Sequence, residues 1–134
     1  MSVHSWSLQK AIYTALNGNV TGIGGDVVPV YDAVPEDVAY PYIQIGEETV
    51  IDGAVKDRDG HEHTLTIHAW SQYRGRREIK ALMERTYDLL HDAGINLDTG
   101  TLVNVRQEFS TTLAENDGLT RHGVMRFRAV VFDS

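Results

Sequence analysis

The stretch from Leu102 to Phe132 constrains the fold more than any other. Val103, Val105, Gln107 and Phe109 alternate with Asn104, Arg106 and Glu108. Farther on, Met125, Phe127, Ala129 and Val131 alternate with Arg126 and Arg128. A period of two sustained over both stretches fits strands with one covered face and does not fit a helix. Between them lies Asn116-Asp117-Gly118, a strong hairpin turn signal. The sequence therefore predicts a long antiparallel pair, from Leu102 to about Leu113 and from about Thr120 to Phe132. A turn at 116–118 sets Glu115 against Leu119 and Glu108 opposite Arg126, a pair worth about 0.2–1 kcal/mol. The same register sets Arg106 opposite Arg128, which is unfavourable unless an acid from elsewhere intervenes.

Other segments join this hairpin. His61 to Trp70 also alternates: His61, His63, Leu65, Ile67 and Ala69 share one face, with Glu62, Thr64, Thr66, His68 and Trp70 on the other. Tyr40-Pro41-Tyr42-Ile43-Gln44-Ile45-Gly46 begins a further strand, with Pro41 tolerable only at its start. Val27 to Tyr31 is short, and Pro29 makes it an edge or irregular strand. Residues 52–60, rich in Asp and Gly, form a loop.

Two helices complete the set. Ser5 is placed to cap the first, whose stripe is Leu8, Ile12, Ala15 and Leu16 and whose stop is Asn17-Gly18. The second runs from Arg76 to Ala93 with Ile79, Leu82, Met83, Thr86, Leu90 and Ala93 on its buried stripe and Gly94 as its end. The expected class is α+β: a mainly antiparallel sheet with two principal helices packed on one face. At 134 residues, one domain over 1–134 is expected, because two cores of that size would each be marginal.

Composition excludes several functions. The chain has no cysteine, which removes disulfide scaffolds, Cys-type zinc sites and thiol catalysis. A net charge of −7 argues against a free monomer that grips nucleic acid by charge. That charge is uneven. Residues 1–50 hold one cation, Lys10, against six acids, whereas residues 71–93 hold five cations and four acids. No basic-then-apolar leader and no apolar run of about 20 residues is visible, so cytoplasmic synthesis and no membrane partner are expected.

The search for chemistry yields little. Gly18, Gly22, Gly24 and Gly25 suggest a phosphate loop, but no Gly-Lys-Ser/Thr follows and Asp26 would repel phosphate, so a flexible loop is expected. His61 and His63 could share a zinc ion, with a further ligand among residues 57–59; the plainer expectation is two half-exposed histidines at a strand start. Neither a nucleophile elbow nor a paired-carboxylate signature is present, and no cofactor is implied. Arg74, Arg76 and Arg77 crowd a helix N-terminus, where the dipole prefers acids. They suggest contact with an acidic partner surface or a phosphate; alternatively they are solvated and balanced by Glu78.

Several runs also resemble a known family. They are Val30-Tyr-Asp-Ala-Val-Pro, Tyr40-Pro-Tyr-Ile-Gln-Ile-Gly-Glu-Glu-Thr, Gly60 through Gly75, Leu102-Val-Asn-Val-Arg, and His122-Gly-Val-Met-Arg-Phe-Arg-Ala. Together they resemble the tail terminator, or tail completion, proteins of long-tailed phages, prophages and gene transfer agents. The resemblance implies a non-enzymatic virion protein at the tail–neck junction, assembled in the bacterial cytoplasm. It implies a homo-hexameric ring that caps the tail tube protein, stops its polymerisation and meets a head–neck connector (stopper or adaptor), with DNA passing through unread. A ring subunit needs two different side faces. The expected neighbour contacts are Arg74, Arg76 and Arg77, and the loop residues Lys56, Asp57, Arg58 and Asp59. Acids of the first fifty residues or of loop 52–59 are expected to face the channel. The competing readings are another connector subunit, a small metal enzyme centred on His61 and His63, and a binding module for an acidic ligand.

Overall fold

The computed structural model describes residues 3–133. The elements are α1 (Ser5–Leu16), β1 (Val30–Tyr31), β2 (Tyr42–Asp52), β3 (Gly60–Ser71), α2 (Arg77–Leu90), β4 (Thr101–Ala114) and β5 (Arg121–Phe132). The strands form one sheet in the order β1-β2-β3-β5-β4. Only β1 runs parallel to its neighbour; the remaining pairs are antiparallel. This is the expected α+β class, a mainly antiparallel sheet with one short parallel edge strand.

Both helices bury their stripes against the same sheet face. Leu8, Ile12 and Leu16 of α1 and Ile79, Leu82 and Leu90 of α2 share one core with Ile43, Ile45, Leu65, Ile67, Ala69, Met125, Phe127, Ala129 and Val131. Thr86 is buried on the α2 stripe because its hydroxyl donates to the Leu82 carbonyl at 2.9 Å. Met83 packs at the margin of this core. Gly123 of β5 lies beneath α2: a Cβ there would meet Met83 Sδ at 2.6 Å. Its missing side chain lets α2 sit close to the sheet.

The helix ends differ from the expectation in three ways. His4, not Ser5, occupies the cap position of α1, and it makes no side-chain cap bond. Its ring instead ties the chain start to the far end of the sequence, with Nδ1 2.8 Å from Thr99 Oγ1 and Nε2 2.8 Å from Asp133 Oδ1. The second helix stops at Leu90, short of Ala93. His91 is extended and Asp92 takes the left-handed conformation at φ 56°, so Asp92 rather than Gly94 turns the chain. Asp92 N–H then donates to the Val105 carbonyl at 2.7 Å, which pulls this segment onto the β4 edge.

The β4 face also departs from strict alternation. The β4–β5 register shifts between Leu102 and Asn104 and again between Gln107 and Phe109. Each shift is a bulge that reverses which face the next residues occupy. Leu102 and Val105 therefore share the covered face, whereas Val103 is 50% exposed and Phe109 44% exposed. Glu108 is bulged out, so Phe109 and not Glu108 stands opposite Arg126. Arg126 answers by placing its guanidinium 4.9 Å from the Phe109 ring centroid. Arg106 does stand opposite Arg128. Acids from elsewhere separate the two: Arg106 pairs with Asp92 at 2.7 Å and Arg128 with Glu62 at 3.4 Å.

Candidate functional site

The three arginines stand on the connection from β3 into α2. Gly75 adopts φ 77°, a left-handed turn that a larger residue would strain. Arg76 occupies the cap position with no side-chain cap bond. Ser71 Oγ–H donates to Glu78 Oε1 at 2.7 Å and accepts from Tyr73 N–H at 3.1 Å, which fixes the turn from both sides. Glu78 is thereby held by Ser71, and no ion pair joins it to the three arginines. Arg74, Arg76 and Arg77 are exposed, and among the described residues none has an ion-pair partner. Three unpaired guanidinium groups at an uncapped helix N-terminus make this end of the sheet locally cationic.

Lys56, Asp57, Arg58 and Asp59 lie at the other end of β3, in the β2–β3 connection. All four are exposed. Val55 and Arg58 exchange both backbone hydrogen bonds, at 2.9 and 3.2 Å, and close the tip. Arg58 sets its guanidinium 4.4 Å from the Phe132 ring centroid, and Asp133 N–H donates to the Asp59 carbonyl at 2.8 Å. Gly60 is required here, because a Cβ would collide with the Phe132 ring. The twelve residues of β3 separate this tip from the arginines, about 40 Å at the usual strand rise. The seven expected contact residues thus form two clusters at opposite ends of the sheet.

His61 and His63 point to the same face of β3, as alternation requires, with ring centroids 6.5 Å apart. The expectation of two half-exposed rings fails for His63, which is fully buried. Its Nδ1 lies 3.2 Å from Glu48 Oε2, and its Nε2 is buried without a partner. No three His, Asp or Glu side chains among the described residues converge as a metal set.

The helix-free face carries a cluster of rings. Trp70 stacks on His122 with centroids 3.7 Å apart and planes 9° apart, and on Tyr42 at 6.2 Å. Trp70 Nε1–H donates to Gln44 Oε1 at 3.2 Å. His68 Nδ1 and His122 Nε2 are 2.7 Å apart, a distance at which one proton is shared between two ring nitrogens. His68 Nε2 lies 2.9 Å from Glu47 Oε1, and His122 Nδ1 3.8 Å from Glu115 Oε1. Burial and the neighbouring His68 push His122 below the ordinary imidazole value, against an opposing pull from Glu115 and Glu47. The hydrogen bond with His68 holds the Glu47 carboxyl below its ordinary value. Tyr42 is pushed up to about 12, first by burial and then by Tyr40.

A family model described as "Tail completion protein gp17" matches residues 10–132, nearly the whole chain. The chain belongs to this family. Tail completion protein gp17 of Bacillus phage SPP1 is 24% identical over 102 residues, which cover 76% of this chain and 75% of that protein. The fold is similar to that of a chain in a solved structure titled "Virion of native gene transfer agent (GTA) particle". The TM-score is 0.82 at 26% identity, covering 98% of this chain and 99% of the other.

For a tail completion protein, what matters at the surface is which groups are left for neighbours. The arginine turn and the 56–59 tip are both legible in the sequence, and both are exposed. The ring cluster is not legible in the sequence alone. Its signal was the Thr66-His68-Trp70 alternation, but His122 joins it only through the β3–β5 register, in which Trp70 faces His122.

Proposed function

We propose that this protein is a tail terminator. Six copies form a ring on the finished tail tube, stop its growth, and present the surface that the head–neck connector joins. The chain acts as one domain over 1–134, within a virion at the tail–neck junction, after assembly in the bacterial cytoplasm. Catalysis has no part in this role. The observation that carries the reading is the match to the tail completion family over residues 10–132, supported by a fold shared end to end with a chain of a gene transfer agent virion.

The two ends of the sheet suit a part that sits between two neighbours. Arg74, Arg76 and Arg77 offer a cationic end to an acidic surface on the tail or neck side. Lys56, Asp57, Arg58 and Asp59 offer a mixed-charge tip to the neighbour at the opposite end. The acids of the first fifty residues keep the channel from holding DNA, since binding requires cations that neutralise phosphates.

Electron microscopy of particles made without this protein tests the role. Tails of uncontrolled length, or normal tails that fail to join heads, are the expected result; intact infectious particles overturn it. Replacing Arg74, Arg76 and Arg77 together by Glu is expected to reduce head–tail joining or ring retention while the melting temperature stays within about 2 °C, because exposed charges contribute little to stability. Wild-type joining and retention by that variant would remove the arginines from the contact.

A further inference from the structure

Among the described residues, each long edge of the sheet is covered only in part. β1 pairs with β2 at Ile43 and Gln44, and among the described residues no strand lies on the outer side of β2 from Gly46 to Asp52. On the opposite edge, Asp92 N–H donates to the Val105 carbonyl at 2.7 Å and Gln107 N–H donates to His91 Nδ1 at 3.0 Å, which closes β4 near its middle. From Phe109 to Ala114, no described residue pairs with the outer side of β4. The registers place these stretches diagonally. Ile45, Ile67, Met125 and Ser110 form one row across the sheet, and Glu48, Leu65, Phe127 and Gln107 the next. The open stretch 46–52 of β2 therefore lies toward the 56–59 tip, and the stretch 109–114 of β4 toward the arginine turn.

We propose that residues 109–114 of β4 in one copy pair with residues 46–52 of β2 in the next copy, so that the sheets join into one staggered, continuous ring. The inference rests on the ring proposed above and names its junction. Four observations select a second copy as the occupant. First, the two open stretches are similar in length and lie on opposite edges, so the contact is heterologous and can repeat until it closes. Second, β2 and β4 run in opposite directions, and a neighbour related by rotation therefore presents β2 antiparallel to β4. Third, Ile51 (59% exposed), Phe109 (44%) and Leu113 (45%) all stand on the helix-free face of these edges. A register of Thr49 with Thr111 sets Ile51 against Phe109 and covers both. Fourth, 46–52 carries Glu47, Glu48 and Asp52 with no cation, while exposed Arg126 lies beside Phe109 at the β4 edge. Neither stretch contains Pro or Lys, and the bulge in each falls at its start, between Ile45 and Glu48 and between Gln107 and Phe109, so the residues beyond remain regular strand. A diagonal offset is the shear that a closed sheet requires.

The chain lacks cysteine, so crosslinking can be read without background. Thr49→Cys combined with Thr111→Cys is expected to give a ladder of disulfide-linked oligomers on mild oxidation, which neither single variant gives. Ile51→Lys is expected to raise the concentration for half-assembly at least tenfold by light scattering, with an unchanged melting temperature; Phe109→Ser is the second variant. If wild-type protein forms rings but the double-cysteine protein gives no intermolecular disulfide and both edge variants assemble normally, the junction is overturned and the ring stands. If wild-type protein stays monomeric at every concentration and on tail tubes, and the double-cysteine protein stays uncrosslinked, ring and junction fall together.

Discussion

On the helix-covered face of the sheet, Leu65 and Ile67 of β3 and Met125, Phe127 and Ala129 of β5 are shut away from water between α1 and α2. On the opposite face of the same two strands stand Thr64, His68, Trp70, His122, Arg126 and Arg128. The covered face is held by non-directional apolar burial. The open face is held by paired polar groups: a ring stack, a shared imidazole proton, and the Arg128–Glu62 and His68–Glu47 contacts. One pair of strands thus carries two stabilising chemistries. The covered face fixes the fold. The open face fixes the positions of groups that water, or a neighbour, can still reach.

Truncation on the covered face should have the largest effect. Phe127 has no exposed surface and sits at the centre of the core. Phe127→Ala is expected to cost about 3–5 kcal/mol by urea unfolding, through lost burial and a residual cavity. A loss below about 1 kcal/mol would mean that the covered face is not the principal source of stability.

A matched change on the open face should cost less. Trp70→Leu keeps an apolar body but removes the stack on His122 and the hydrogen bond to Gln44. The expected loss is about 1–2 kcal/mol. A loss equal to that of Phe127→Ala would erase the distinction between the faces.

The covered face was also the more legible one in the sequence. Periodicity located both helices and the inward residues of β3 and β5, because uninterrupted burial imposes an uninterrupted period. It failed on β4, where bulges at Val103 and Glu108 each reverse the phase and neither residue is a glycine that would flag one. Gly94 looked like the stop of α2, yet Asp92 takes the left-handed turn because its backbone is drawn to Val105. The two candidate contact clusters were legible as exposed charge. Their separation was legible too, since both flank the same long strand. The His68–His122 pair was not, because neither residue implies the other without the β3–β5 register. The free stretches of β2 and β4 were likewise invisible, since edge position is a property of the assembled sheet.

The smallest expected effect concerns protons on the open face. His122 is depressed in the fold, first by burial and then by His68. The unfolded chain, with an imidazole near about 6.5, therefore takes up this proton more readily than the folded one. The sign follows: the stabilisation is fully present above about 6.5 and declines as pH falls through that value toward the folded pKa. The groups facing His122 set the size. His68 opposes a second proton across 2.7 Å, and Glu115 and Glu47 favour it, with Arg126 acting on Glu47. Glu47 contributes in a separate, lower window, because its own depressed carboxyl loses its stabilisation only as pH falls below its ordinary value of 4.5. The measurement is melting temperature against pH from 7.5 to 5.5 for wild type and His122→Gln. The variant should start lower, having lost the ring stack, and should fall less steeply, because its side chain binds no proton. Only the difference between the two slopes bears on the pair. Parallel curves would mean that protonation of His122 leaves the open face intact, and that the stack with Trp70, not the shared proton, holds the two histidines together.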